Sequence, residues 1–320
     1  MNYSNIQINR KLKIIFMGTP EFSVPILQGL LENYQIRAVV TQPDRVTKSG
    51  KTIVPPIKKL ANEHTLLVLQ PERIEDEVES ILALEPDLII TCAYGQKLPK
   101  SILEAPRLGC INVHASLLPK LRGGAPIHRA IMNGYKKTGV TIMYMNEGLD
   151  EGDIISQEEI EISDADTASS LHDKLSILGR DLLLKTLPSI IDGTATRTPQ
   201  DHSQATYAFN LKRSDEKIDF SKTKKQIYNQ IRGLNSWPGA FCYFKGKILK
   251  VWEAYPTDRY FSNMFDGQIT AIYKDGFGVK VSNGEIVFTV VQPEGKKKMS
   301  AIDFLNGLQN KESIIGKILD

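Results

Sequence analysis

Lys13-Ile14-Ile15-Phe16-Met17-Gly18-Thr19-Pro20-Glu21-Phe22-Ser23 is the stretch that sets the fold class. An apolar run to Met17 stops at Gly18-Thr19-Pro20, and a helical pattern starts near Ser23, a candidate N-cap with Pro25 in the first turn. The pattern reads as strand, turn, helix. It recurs downstream: strand 36–41, a polar loop to Pro56, helix 57–63, strand 66–69, helix 74–84, strand 87–92, strand 109–115, a short helix 126–132, strand 139–145 and a closing helix 167–187. Strands alternating with helices predict an α/β domain over residues 1–192, with a doubly wound, mostly parallel, Rossmann-like sheet. The first turn lacks the second and third glycines of a dinucleotide fingerprint, and no G-x-x-x-x-G-K-[ST] occurs, which excludes NAD and ATP sites of those kinds.

Residues 193–210 are rich in Thr, Pro, Gln, Ser and Asp and read as a linker. Beyond them comes one helix, 224–233, then short strands near 240–244, 247–254, 268–273, 278–281 and 285–291, with turns at Lys-Gly, Asp-Gly and Asn-Gly pairs. These predict a smaller OB-like β-barrel over residues 211–320, a form that often binds oligonucleotides. A length of 320 residues, 41% hydrophobic and 24% charged, suits a globular protein of two unequal domains. No apolar run approaches the roughly 20 residues of a membrane span, and none near the start is long enough for a signal peptide, so a cytoplasmic location is expected. Cys92, Cys110 and Cys242 show no C-x-x-C spacing and read as reduced, buried thiols. Net charge is +3, but residues 201–320 carry 18 basic and 13 acidic side chains. Lys212 to Lys250 alone holds ten basic and three acidic residues, interleaved with Phe220, Tyr228, Trp237, Phe241, Tyr243 and Phe244. Such a stretch can track a phosphate backbone; the bland alternative is a solvated helix face followed by an ordinary strand.

The chemistry concentrates in Ile111-Asn112-Val113-His114-Ala115-Ser116-Leu117-Leu118-Pro119. Two residues apart on a strand, Asn112 and His114 share a face, near the carboxyl end where open α/β sheets hold their ligands. An amide can donate to a developing oxyanion and an imidazole can move a proton. Gly148-Leu149-Asp150-Glu151-Gly152-Asp153, just past a strand, supplies the missing carboxylate, and its glycines allow a tight turn. Singly, each has a structural explanation: a lone strand histidine is more often a hydrogen-bonded core residue, and Asp between glycines is common turn chemistry. A metal site would have to be stretched from His114, Asp150 and Asp153, so no metal is expected.

Asn112 to Pro119, together with Arg122-Gly123-Gly124-Ala125-Pro126 and Gly148-Leu149-Asp150, resembles the signature of the formyltetrahydrofolate-dependent transferases. Phe16 to Phe22, Thr41-Gln42-Pro43-Asp44-Arg45 and Leu69-Gln70-Pro71-Glu72 resemble the methionyl-tRNA formyltransferase branch, and the likeness continues through Ala205-Thr206-Tyr207-Ala208 and Trp237-Pro238-Gly239-Ala240. It spans Lys13 to Leu305. The resemblance implies catalysis by Asn112, His114 and Asp150, and a tetrahydrofolate site lined by Ser116, Leu117, Leu118 and Pro119. It further implies 10-formyltetrahydrofolate as formyl donor and methionyl-initiator tRNA as acceptor, handled by a monomer. Arg45, Lys48 and Lys51 in one loop and Lys222, Lys224 and Lys225 in the second domain are the expected tRNA contacts. The family's loop usually carries Gly-Arg-Gly, whereas this chain has Lys48-Ser49-Gly50-Lys51, which keeps charge and loses the planar guanidinium fork. Two other readings share these features: a formyltransferase acting on an amino-sugar nucleotide, and a non-catalytic RNA-binding protein on a transferase scaffold.

Overall fold

The computed structural model describes residues 12–47 and 49–320. They fall into two compact units. The first takes the chain up to Pro126, Lys137–Glu161 and His172–Phe209; the second takes Ile127–Lys136, Ile162–Leu171 and Asn210–Asp320.

In the first unit β1 (Ile14–Gly18) is wholly buried, as a strand covered on both faces must be. It pairs in parallel with β2 (Ile36–Val40), beyond which lies β5 (Val68–Leu69), and on its other side with β6 (Leu88–Cys92), followed by β7 (Cys110–His114). Strand order therefore reverses between β1 and β6, the kind of crevice where such sheets bind ligands. Past β7 the sheet turns antiparallel through β8 (Lys137–Tyr144) and β9 (Ile154–Glu161). The parallel-dominated sheet agrees with expectation, and β9 is an addition. Its Ser156-Gln157-Glu158-Glu159 breaks the apolar alternation because this strand is the sheet edge. The polar loop before Pro56 holds a short hairpin, β3 (Arg45–Val46) with β4 (Thr52–Ile53).

Helix α1 (Val24–Asn33) buries Ile26, Leu27 and Leu30. Ser23 makes no side-chain cap there; its hydroxyl donates to the Cys92 carbonyl at 2.6 Å and so ties α1 to β6. Helices α2 (Pro56–Glu63), α3 (Val78–Leu82) and α4 (Lys100–Leu103) complete the alternation. Helix α5 (Pro126–Met132) follows, and α6 (Ala168–Asp192) passes behind the sheet. Gly179 of α6 lets it approach β7, since a Cβ there would lie 3.1 Å from Val113 Cγ1. Residues 193–209 run with the first unit, bridged Thr198 to Ile154 and Tyr207 to Arg122.

The second unit opens with α7 (Arg213–Glu216) and α8 (Lys224–Gly233), the latter started by a capping box in which Thr223 and Gln226 bond each other's backbone. Its sheet is antiparallel: β10 (Ala240–Phe244), β11 (Lys247–Thr257), β14 (Gly284–Pro293), β13 (Phe277–Val281) and β12 (Ile269–Ile272), in that spatial order, with β15 (Met299–Ser300) added to β14. Lys245 and Gly246 both have positive φ, as a two-residue hairpin between twisted strands requires. Phe277 and Phe288, fully buried and edge-to-face at 5.6 Å, centre a core closed by Ile227, Ile231 and, from α9 (Ala301–Asn306), Leu305. A final segment bonds to both ends of the sheet: Tyr243 and Asp320 exchange backbone hydrogen bonds at 2.7 and 3.1 Å, while Lys317 and Leu319 bond Ile269 and Gly267. Cys92, Cys110 and Cys242 are free and buried, and burial pushes each thiol up to about 12.

Candidate active site

Asn112 and His114 leave the same face of β7, and Asp150 reaches them from the loop joining β8 to β9. Asn112 Nδ2 lies a long 3.5 Å from Asp150 Oδ1, and His114 Nδ1 lies 3.7 Å from Asp150 Oδ2. Such contacts are often loose before substrate arrives and shorten around it. His114 Nε2 stands 3.0 Å from the Leu121 carbonyl, an oxygen that can only accept. Nε2 therefore carries a proton, and Nδ1 is the nitrogen that faces the carboxylate.

Partners outside the expected set hold these groups. Thr91 sits opposite Asn112 in the parallel register and donates to Asn112 Oδ1 at 2.8 Å. Gly123 N–H donates to Asp150 Oδ2 at 2.8 Å. Asp150 itself has φ +49, an uncommon conformation for a residue with a side chain, so the loop must be held from outside. Gln200 holds it: its Nε2 donates to the carbonyls of Asp150 and Gly152 at 2.9 and 2.8 Å. Gln200 Oε1 in turn accepts from Nε and the second terminal nitrogen of the fully buried Arg122, at 3.1 and 2.7 Å. Arg122 also stands 3.7 Å from Glu151. Gln200 lies in a stretch without apolar period, and Thr91, Leu121 and Gly123 act through strand register or backbone atoms. Only the parallel pairing of β6 with β7 could have pointed to Thr91.

Gln200→Leu should strip the Arg122 guanidinium of two hydrogen bonds, leaving it the longer contact with Glu151, and release the loop. The expected cost is about 3 kcal/mol of stability, since a hydrogen bond to a buried charged group carries that order of energy, with a matching fall in melting temperature and a lower kcat. Thermal denaturation and steady-state rates check this; an unchanged melting temperature would refute the clamp.

The expected folate-lining residues separate by burial. Ser116 and Leu118 are buried, with the Ser116 hydroxyl donating to the Lys120 carbonyl, Leu118 N–H donating to Thr141 Oγ1 and the Leu118 carbonyl accepting from Gln157. Leu117 and Pro119 keep surface to offer. An open cleft of about 390 Å³ is lined by Lys100 and Leu103 of α4, Glu104 just past it, Met145, and Asn146, Glu147, Gly148 and Glu151 of the loop that carries Asp150. Among the described residues no cluster of His, Cys, Asp or Glu could hold a metal ion, and no helix is long and apolar enough to cross a membrane.

Arg45 and Lys51 are exposed on the β3–β4 hairpin, and Lys48 lies outside the described residues. Thr47 closes this hairpin, accepting from Lys51 N–H at 3.0 Å. At its base Gln70 and Lys58 bond the Asp44 carboxyl and hold it below the usual carboxylate range. In the second unit Lys222 is exposed, whereas Lys224 bonds Thr257 O and Asp258, and Lys225 bonds Asp164.

The family profile "Formyl transferase" matches residues 11–187, and "Formyl transferase, C-terminal domain" matches residues 210–309. The methionyl-tRNA formyltransferase of Bacillus pumilus (strain SAFR-032) is 52% identical over 301 residues, covering 92% of this chain and 94% of that protein. That of Bacillus cereus (strain AH820) is 52% identical over 303 residues, covering 92% and 96%. Among solved structures, HypX from Aquifex aeolicus in complex with tetrahydrofolic acid matches with a TM-score of 0.66 at 18% identity, over 93% of this chain and 48% of that one. An N-formyltransferase from Helicobacter canadensis in complex with folinic acid and dTDP-3-aminofucose matches with a TM-score of 0.67 at 22% identity, over 88% and 99%. At these identities the structures speak to fold alone.

Proposed function

The chain belongs to the formyl transferase family, among its methionyl-tRNA formyltransferases, and from that premise we propose that it transfers the formyl group of 10-formyltetrahydrofolate to the amino group of methionyl-initiator tRNA. The observation that carries the reading is the meeting of Asn112, His114 and Asp150 at the carboxyl end of β7. As the methionyl amine adds to the formyl carbon, Asn112 Nδ2 donates to the oxygen that gains charge, an interaction stronger in the transition state than before it. His114 Nδ1 takes the proton from the attacking nitrogen and returns it to the departing folate nitrogen. Asp150 stabilises the imidazolium in between, and Gly123 and Gln200 keep it in place. The cleft beside loop 146–151, with Leu117 and Pro119 of the 116–119 turn, is where the formyl donor fits; Ser116 and Leu118 support that turn from behind.

Chemistry is assigned to residues 1–192 and tRNA holding to residues 211–320, joined by 193–210, in a monomer working in the cytoplasm. We read the second sheet as an OB-like barrel. Supporting this, the segment ending at Asp320 bonds both to Tyr243 of β10 and to Ile269 of β12. Arg45, Lys48, Lys51 and Lys222 carry the charge offered to RNA, while Lys224 and Lys225 contribute less because intramolecular carboxylates already hold them.

The deciding experiment is a transfer assay from 10-formyltetrahydrofolate to methionyl initiator tRNA, methionyl elongator tRNA and an amino-sugar nucleotide. Formylation of the sugar alone would overturn the reading. Lys222→Ala should raise KM for tRNA at unchanged saturated turnover, and each lost phosphate contact should flatten the logarithmic salt slope by roughly 0.9 on duplex. Arg45→Ala with Lys51→Ala should lower kcat as well; wild-type kcat in that variant would remove the hairpin from amine placement.

A further inference from the structure

Tyr207 and Phe209 lie two residues apart, and Ala208 between them is fully buried, so both rings leave the chain on the solvent side. The rings are stacked, with centroids 5.4 Å apart and planes within 5°. They are 51% and 60% exposed, although aromatic surface of this size is ordinarily covered. Two parallel rings with half or more of each exposed offer apolar surface on which a further ring can stack.

The backbone fixes where that surface lies. Arg122 N–H donates to Thr206 O at 2.8 Å, Ala208 N–H donates to Arg122 O at 2.7 Å, and Leu121 N–H donates to Thr206 Oγ1 at 2.9 Å. Tyr207 is thus bridged to Arg122, the residue before Gly123, whose N–H holds the Asp150 carboxylate. Gly123 has φ +112, and a Cβ on it would lie 3.0 Å from Ala208 O, so the two segments are in close contact beside the trio. In a methionyl ester of a terminal adenosine about seven bonds separate the amine from the base, a reach of roughly 8 Å. His114 Nε2 lies 3.0 Å from the Leu121 carbonyl, and Leu121 N–H bonds Thr206, the neighbour of Tyr207, so this segment adjoins the place where the amine would stand.

We propose that Tyr207 and Phe209 form the stacking platform for the base of the 3′-terminal adenosine of the aminoacylated RNA, fixing how far the amine extends toward His114 and Asp150. The inference rests on the acceptor assigned above. Stacking suits this task because it uses the face common to all bases and needs no hydrogen-bond code, leaving recognition of the particular RNA to other surfaces.

The test compares methionyl-tRNA with an intact terminal adenosine and methionyl-tRNA whose terminal nucleotide carries no base. The readout is the ratio of kcat/KM between them. The wild type should favour the intact acceptor by about 5-fold to 10², the range of base–aromatic stacking, and Tyr207→Ala with Phe209→Ala should remove most of that preference. Exchanging the rings, Tyr207→Phe with Phe209→Tyr, should keep it. A preference in the double alanine variant equal to the wild type's would overturn the platform while leaving the reaction assigned. A wild type that formylates neither RNA would instead overturn the acceptor, and the platform with it.

Discussion

Asn112→Ala and His114→Ala should each lower kcat by at least about 10², with binding of the folate donor largely retained. Both side chains meet Asp150, and neither lines the cleft of Leu103 and Met145. The two losses differ in kind: His114→Ala removes the group proposed to carry the proton, and Asn112→Ala removes the donor proposed for the oxyanion. Asp150→Asn should also lower kcat: it keeps the shape, and Gly123 N–H can still find an oxygen, but the proposed imidazolium loses its counter-charge. A His114→Ala protein with more than half the normal turnover would remove the proposed proton path. Intact turnover in Asn112→Ala would move oxyanion stabilisation elsewhere.

Gly152→Ala should cost nearly as much, although it touches no substrate. A Cβ at Gly152 would lie 1.9 Å from the Tyr144 carbonyl oxygen, a backbone atom at the end of β8 that cannot move alone. The loop must shift as a body, and Asp150, two residues away, shifts with it; a misplacement of about 1 Å can cost 10² in rate. Overpacking adds about 1–3 kcal/mol of instability. Gly148→Ala is the control. Its nearest neighbours would be the Cγ and carboxyl atoms of Glu151, a side chain whose end can shift at the cost of its 3.7 Å contact with Arg122, so the loss should be smaller than at Gly152. Equal effects at the two glycines would show that the loop's position does not govern the rate.

Asn112, His114 and Asp150 were legible in the sequence because strand periodicity orients side chains and because a glycine-flanked carboxylate follows the next strand. The alternation from β1 to β8 was legible for the same reason, since buried parallel strands read as apolar runs. Edge strand β9 was not, because it exposes residues of both faces in succession, Gln157, Glu158 and Glu159. Gln200 was not, because a stretch rich in Thr, Pro and Ser carries no period, whatever it bonds in space. Lys224 and Lys225 show the limit of counting charge. Composition places them in a basic stretch, but it does not reveal that Asp258 and Asp164 stand within 3.0 and 2.8 Å of their ammonium groups.

Residues 127–136 and 162–171 belong to the second unit while the chain around them belongs to the first. Within that unit Arg129 grips Asp215 with both terminal nitrogens, 86 positions along the sequence, and His128 bonds the Gly233 carbonyl, 105 positions along. Met132 packs on the same core as Phe288. The second unit cannot be completed from residues 210–320, because part of its interior is supplied from far upstream. Contacts of such sequence separation form late and slow folding, since loop closure must be paid for before they are gained. The molecule therefore has two compact bodies but no single cut point along the sequence.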